Sequence, residues 1–427
     1  MNWGIPLILM LILFLFKVPV FISILASSII YFLMPGSPTM LVVVQRMLSG
    51  MESLPLLAIP FFIMAGVFMN YTGITRRIMR FAELLTGRMP GGLAQVNILL
   101  STLMGGLSGS SIADAAMQAK MLVPEMEKRG MSRAFSAVVT GASSLITSII
   151  PPGIAMIIYG YTANVPIDQL FLGGFGPGIL CCIIMMIVTH FIAKKKGYVP
   201  VLEKPAKPKE ILVASKDAFA ALILPIVIIG GIRIGVFTAT EAGSIAVAYA
   251  LLLGLVLYRE LKWSDLKIAM AETTATTASI MLIMASASII AWFLTIERVP
   301  QICTEFILNF VHTKVSFLIF VNIFLLIVGM FIEGNAAMLV LIPLLQPAAM
   351  SFGLDPIHFG IVFIFNMVVG SLTPPLGTVM FTTCAATKVS VMDFMKEGIP
   401  YYIMLFACLL AITFCPQIVL FLPNLFS

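Results

Sequence analysis

Residues 105–116 read GGLSGSSIADAA. Three glycines, three serines and an aspartate stand here between two apolar runs, where a chain crossing hydrocarbon would carry leucine and isoleucine. Each free backbone N–H or C=O costs roughly 2–7 kcal/mol away from water. An interrupted polar stretch is therefore tolerated at membrane depth only where it faces protein or a water-filled cavity. The glycines permit a tight turn. The hydroxyls and freed carbonyls offer neutral oxygens of the kind that suits a dehydrated hard cation. The reading of the fold turns on whether the surrounding chain lies in a membrane and whether this stretch has a counterpart.

The first condition follows from composition. Of 427 residues 60% are hydrophobic and 10% charged, and the mean hydropathy is +1.09, far from the balance of a soluble domain. Apolar runs of ~15–25 residues follow one another, roughly ten in all, each able to cross or nearly cross a ~30 Å core. The first run lacks a small-residue cleavage site and leads straight into the next, so a retained helix is expected. The six cysteines lie in or beside apolar runs without metal or disulfide spacing and read as packing residues.

Positive charge orients the chain. With the N-terminus outside, the cytoplasmic side collects most of the 25 basic residues. These are Lys17, then Arg76, Arg77, Arg80 and Arg88, then Lys128, Arg129 and Arg133, seven lysines between 194 and 216, and five later ones from Arg259 to Lys396. Only Arg46, Arg233, Arg298 and Lys314 remain outside, with Lys120 in between. Both termini are expected on the outer side. The stretch KKKGYVPVLEKPAKPKE, rich in Lys and Pro, reads as a linker between two halves.

The halves repeat. Asp114 is followed ten residues later by Pro124 and then by Pro151-Pro152 in SSLITSIIPPG; Glu333 is followed ten residues later by Pro343 and then by Pro374-Pro375 in VVGSLTPPLG. Two segments, about 90–127 and 315–350, are expected as re-entrant helical hairpins, and two others, about 132–160 and 356–385, as broken helices. The charge assignment puts the feet of the two hairpins on opposite sides. Inverted repeats with interrupted helices are the mark of secondary transporters, whose sites lie where the breaks meet. The expected organisation is N-terminal scaffold helices over 1–53, a first repeat over 54–193, the linker over 194–216, scaffold helices and an arm over 217–270, and a second repeat over 271–427. The amphipathic stretch TRRIMRFAELLTGR reads as an interfacial arm.

Candidate cation ligands are Ser108, Gly109, Ser110 and Ser111 at the first tip, with Ser143, Ser144, Thr147 and Ser148 opposite. Gly334 and Asn335 occupy the second tip, with Ser371, Thr373 and Thr378 opposite. Sodium is the expected ion, with at least two sites and proton coupling as the rival. Each tip starts a half-helix whose partial positive charge attracts a substrate carboxylate. Small hydroxylated residues also pack helices together. Asp114 and Glu333 either cap their half-helices or take part in ion or substrate coupling. The prolines 151, 152, 374 and 375 read as functional breaks or plain kinks. Three histidines, at 190, 312 and 358, have no paired spacing, and no nucleotide, hydrolase or metalloprotease motif stands in a credible context. Catalysis and ATP use therefore lack support, and nothing points to nucleic acid.

Taken together, GMESLPLLAIPFFIMAG, GGLSGSSIADAA, SLITSIIPPG, GVFTATEAG and VVGSLTPPLG resemble, as an ordered set over nearly the whole chain, the large membrane subunit of tripartite ATP-independent periplasmic (TRAP) transporters. The resemblance implies an all-α polytopic protein of the bacterial inner membrane with the elevator-type fold of the ion transporter superfamily. It also implies sodium-coupled uptake of an organic acid, a periplasmic substrate-binding protein and a separate small four-helix membrane subunit. Among subclasses the string is most similar to sialic acid carriers, with C4-dicarboxylates the other candidate. Lys17 in LFKVPV departs from the usual pattern, where a glycine is expected. The outward stretch ERVPQICTEFILNFVHTK reads as a strut along the membrane face, with Arg298 and Lys314 available to a binding protein. A stand-alone carrier would share the hairpins and breaks. A channel would need a continuous pore, and an intramembrane enzyme a catalytic pair that is not visible.

Overall fold

The computed structural model describes residues 3–16, 18–36 and 38–426, apart from the side chains of Leu15, Leu54 and Ser108. Lys17 and the Ser108 hydroxyl therefore lie outside the described residues. Among those described there is no strand, and seven helices are long and apolar enough to cross a membrane.

The chain breaks at both Pro-Pro pairs, and the two broken helices have matching parts. Arg133–Ile149 (17 residues) is followed by Ile154–Ala163 (10 residues), and Pro356–Leu372 (17 residues) by Thr378–Thr387 (10 residues). Local chemistry sets the ends. Ser132 accepts from the Phe135 N–H, and Asp355 accepts from the Ile357 and His358 N–H groups ahead of Pro356, so each first half has a side-chain cap. A proline has no N–H to donate and clashes with the preceding turn, which ends each first half where the pair begins. Each second half closes on a left-handed residue, Asn164 in one and Lys388 in the other.

Both hairpins are re-entrant, because their feet meet. In the first, Gly92–Ser108 and Ser111–Met121 are the arms, with Val123–Lys128 continuing the second. Tyr198 ties the two feet together, its carbonyl accepting from the Gly91 N–H (3.3 Å) and its hydroxyl from the Ser132 N–H (3.1 Å). In the second hairpin, formed by Lys314–Phe331 and Gly334–Ser351, Lys314 Nζ donates across the feet to the Gly353 carbonyl (3.3 Å). The long helix Ile167–Lys196 gauges the distance between the two pairs of feet. Its C-terminal end runs into Tyr198, whereas Gln346, near the feet of the second hairpin, donates to the Ala163 carbonyl just before its N-terminal end (2.8 Å). Thirty residues of helix span about 45 Å, so the hairpins enter from opposite faces.

A second set of helices stands apart. Val20–Leu33 and Leu41–Met51 pack on the far half of Trp263–Ile296, and Gly4–Leu15 packs on Val20–Leu33; here Met10, Ile24, Phe32, Ile289, Phe293 and Leu294 form a core separate from the main one. Tyr31 stacks on Phe293 (ring centroids 4.6 Å) and its hydroxyl donates to Glu297 (2.8 Å). Ala58–Tyr71 packs against Ala239–Leu252, and the amphipathic arm is the helix Ile74–Thr86.

Sequence and structure differ in three places. The second repeat is expected from 271, whereas the helix that carries this position begins at Trp263, where the Asp265 carboxylate accepts from the Lys262 N–H (3.2 Å) about two turns ahead of the apolar run. Leu41–Met51 is a helix no apolar run announced, its moderate hydrophobicity being confined to one face. The apolar end of the second repeat, long enough for one span, is two helices, Val391–Phe414 and Gln417–Phe426, parted at Pro416, and the second lies against Ile167–Lys196.

Candidate functional site

The two tips and two breaks converge on one cavity. At the first tip Gly109 adopts φ +58, a left-handed turn. A Cβ there would also stand 2.7 Å from the Pro152 carbonyl, so the tip meets the first break only because residue 109 is glycine. Ser110 is extended and caps the second arm, weakly accepting from the Ala113 N–H (3.4 Å). The Ser111 N–H donates to Ser148 Oγ (3.0 Å), joining tip to break. At the second tip Glu333 is the cap: Oε2 accepts from the Ala336 N–H (3.0 Å) and Oε1 from Asn335 Nδ2 (2.9 Å).

Gly109, Ser110, Ser111 and Ser148 line the cavity from the first repeat, and Glu333, Gly334, Asn335, Ser371 and Thr378 from the second. Its opposite wall is built by Ile63, Val67 and Asn70 of Ala58–Tyr71 and by Thr276 and Ile280 of Trp263–Ile296. Glu333 is the one ionisable side chain among these lining residues, and among the described residues no lysine or arginine lines the cavity. Pro151-Pro152 and Pro374-Pro375, both cis, form the floors of the breaks. A Cβ at Gly377 would lie 2.6 Å from the Ser371 carbonyl and 2.8 Å from that of Thr373, which shows how tightly the second break folds its carbonyls together.

The other anticipated residues lie behind the cavity. Asp114, 1% exposed, receives Ser101 Oγ (2.8 Å), Thr147 Oγ1 (3.0 Å) and Gln118 Nε2 (2.7 Å). Ser143 donates to Asn97 Oδ1 (2.8 Å), whose amide nitrogen donates to Thr140 (2.7 Å). Ser144 donates to its own helix at Gly141 O (2.9 Å), and Thr373 to Val369 O (2.8 Å). So Asp114 is not a cap: it fastens both arms of the first hairpin to the first broken helix. Glu333 takes the capping place, and the residue corresponding to it at the first tip is Ser110. Arg298 is exposed at the start of Val299–Phe310, and Lys314 is engaged at the hairpin's feet. Among the described residues no cluster of three or more His, Cys, Asp or Glu side chains exists to hold a transition metal.

Asn97, Ser101, Gln118 and Thr140 had no place in the sequence reading. Their signal was spacing: 97 and 101, 114 and 118, and 140, 143 and 147 are separated by three or four residues, which lines each set along one helix face. Asn70 and Thr276 carry no such signal, since only tertiary packing brings them to the cavity.

The family model for the DctM component of the tripartite ATP-independent periplasmic transporters matches residues 7–418. The chain belongs to this family. Similar DctM proteins include the sialic acid TRAP transporter large permease SiaM of Vibrio cholerae, 36% identical over 408 residues covering 96% of this chain and 95% of that one. Another is the C4-dicarboxylate TRAP transporter large permease DctM of Vibrio cholerae, 34% identical over 433 residues covering 96% and 94%. Among solved structures, the YdaH transporter of Alcanivorax borkumensis superposes with a TM-score of 0.61 at 12% identity, over 96% of this chain and 98% of that one. MtrF of Neisseria gonorrhoeae superposes with a TM-score of 0.57 at 13% identity, over 96% and 94%. The chain thus has the elevator-type fold of that transporter class, and it is a multi-pass membrane permease of the organic acid TRAP systems.

Proposed function

We propose that this chain is the large permease of an importer that moves an organic acid across the bacterial inner membrane with sodium, sialic acid being the favoured cargo. The carrying observation is the single cavity in which both tips, both breaks and the opposite wall meet, with a carboxylate in its lining and no basic side chain. An anionic cargo would meet unfavourable charge there unless cations accompanied it. Sodium bound by the hydroxyls and freed carbonyls of the tips and breaks supplies that charge. The tips then divide the work. Glu333 already occupies the positive end of the second half-helix, which favours cations there, whereas the neutral Ser110 leaves the first half-helix free to attract a carboxylate.

Sialic acid rests on likeness to SiaM, and C4-dicarboxylate is the second reading because the likeness to DctM is nearly as strong. The family's tripartite character supports a small membrane subunit and a periplasmic binding protein as partners. The distribution of basic residues favours the feet of the first hairpin in the cytoplasm and both termini outside. In proteoliposomes holding the permease and small subunit, uptake from a loaded binding protein should require an inward sodium gradient. Undiminished uptake in choline with a proton gradient would overturn the sodium reading. Transport of a C4-dicarboxylate in place of sialic acid would move the cargo assignment to the second reading.

A further inference from the structure

Away from the transport cavity, a polar cleft opens between the arm Ile74–Thr86, the start of Pro208–Arg233 and the turn after the π-helical segment Leu253–Leu257, lined by Arg76, Arg77, Arg80, Ala214, Asp217 and Glu260. We infer that it binds the headgroup of an anionic glycerophospholipid, one phosphodiester with hydroxyls beyond it, as in phosphatidylglycerol.

The cleft is built around Arg77. Its guanidinium pairs with Glu260 (2.7 Å), donates to the Gly73 carbonyl (3.1 Å) and stacks on Tyr258 (3.8 Å to the ring centre). Tyr258 is itself anchored by donating to the Asp217 carbonyl (3.0 Å). A Cβ at Gly73 would overlap the Glu260 carboxylate, so glycine there admits the pair. With Arg77 neutralised, Arg76 and Arg80 remain, one helical turn apart on the same face. Arg76 has a side chain 79% exposed and lies 3.9 Å from the already paired Glu260. Among the described residues Arg80 has no ion-pair partner, nor has the Asp217 carboxylate. Two unneutralised guanidinium groups and one carboxylate leave one net positive charge. That matches a single phosphodiester, and the carboxylate offers an acceptor to headgroup hydroxyls.

The flanks show where acyl chains would lie. Leu212, Val213 and Phe219 beside Ala214, and Leu255, Val256 and Leu257 ahead of Tyr258, are all exposed apolar side chains on the two helices that frame the cleft. An interfacial amphipathic helix presenting arginines at the headgroup level is the arrangement by which such a lipid is held. A lipid seated there would join the arm, which leads into the first hairpin, to the scaffold helices.

The test titrates the purified full chain with short-chain phosphatidylglycerol, phosphatidylcholine and glycerol phosphate, reading binding through thermal unfolding. Saturable stabilisation by phosphatidylglycerol alone is expected. Arg76→Gln with Arg80→Gln should weaken it roughly 30-fold, and Arg76→Lys with Arg80→Lys should keep most of it. Both positions are exposed, so neither double variant threatens the fold. Unchanged affinity in the Gln variant, equal binding of phosphatidylcholine, or full stabilisation by glycerol phosphate at the same concentration would each overturn the assignment, the last by making the ligand a free phosphate.

Discussion

The two hairpins solve one problem by different means. Each must hold two apolar arms and an unwound tip against a broken helix inside a membrane. The first does it with polarity, converging three donors on the buried Asp114 and adding the Asn97, Thr140 and Ser143 contacts. The second does it with shape and amides. A Cβ at Gly370 would stand 2.7 Å from the Gly329 Cα, so arm and broken helix touch backbone to backbone, and Asn366 and Asn322 continue the contact to Thr413 (2.7 and 3.0 Å). Small-residue contacts bring helices close without a charge. A buried carboxyl fixes geometry more narrowly, but removing it strands its partners.

This difference predicts unequal responses, the largest at Asp114. Asp114→Ala removes the acceptor on which Ser101, Thr147 and Gln118 converge in a site sealed from water, leaving them only Ser143 Oγ (3.1 Å), the Ser101 carbonyl (3.2 Å) and Ser101 Oγ (2.8 Å), and should cost about 1–3 kcal/mol. The variant should fall in yield and melting temperature as well as in uptake. Asp114→Asn keeps the shape, and the neighbouring hydroxyls can turn to accept from its amide, so the fold should recover. Normal yield for Asp114→Ala would show that the first hairpin stands without its network, and the contrast with the second would collapse.

Next in size is motion. If the hairpins and broken helices travel as one body past the wall containing Asn70 and Thr276, a bridge between wall and tip stops transport and a bridge within the body does not. Cysteines at Thr276 and Ile112, on opposite walls of the cavity, joined by a bifunctional thiol reagent after Cys303 and Cys415 are replaced by serine, should abolish uptake. Cysteines at Ile112 and Ala155, both on the first repeat's side, should leave most of it. Intact uptake with complete bridging of the first pair would replace sliding by a rocking motion.

The tips give a smaller, ion-specific effect. Glu333→Gln retains a cap oxygen for the Ala336 N–H and loses the charge, so stability should change by less than about 1 kcal/mol. The sodium concentration for half-maximal uptake should rise roughly ten-fold if the carboxylate favours cations at that tip. An unchanged sodium dependence would make Glu333 a cap and nothing more, and the two tips electrically alike in function.

How far the sequence foretold this contrast depends on the residue. The tips, the Pro-Pro breaks and the interfacial arm were legible because glycine, proline and paired hydroxyls have local meaning in an apolar chain. The correspondence of Asp114 with Glu333 was not. It rested on a proline ten residues after each acid, yet Pro124 begins a short helix beyond a break at Leu122 while Pro343 lies inside the continuous helix Gly334–Ser351. Equal spacing concealed unequal structure, and only the capping geometry aligns Glu333 with Ser110. The hydrogen bonds of Asn97, Ser101 and Gln118 escaped because a few polar residues barely disturb the hydropathy of an arm, and, Gln118 with Asp114 apart, their partners are 13 to 46 residues away.

The feet of the hairpins extend the comparison outward and give the smallest expected effect. The first pair is tied by Tyr198 and the linker, whereas the second follows the strut Val299–Phe310, with Arg298 exposed at its start and Lys314 bonded to Gly353. If a binding protein docks on the outer side, Arg298 is a rim charge. Rim charges chiefly alter the association rate in a salt-dependent way. Arg298→Glu should therefore raise the apparent KM for loaded binding protein about two- to five-fold at low ionic strength, and the difference should fade as salt rises. Lys314→Glu should behave otherwise. By cutting the bond across the hairpin's feet it should lower the maximal rate at every salt concentration, whether or not the binding protein is saturating. A charge-reversed acidic residue on the binding protein that restores Arg298→Glu and not Lys314→Glu would separate docking from hairpin support. No response of Arg298→Glu at any ionic strength would remove this surface from the docking site and leave the second hairpin's feet, like the first's, a purely internal joint.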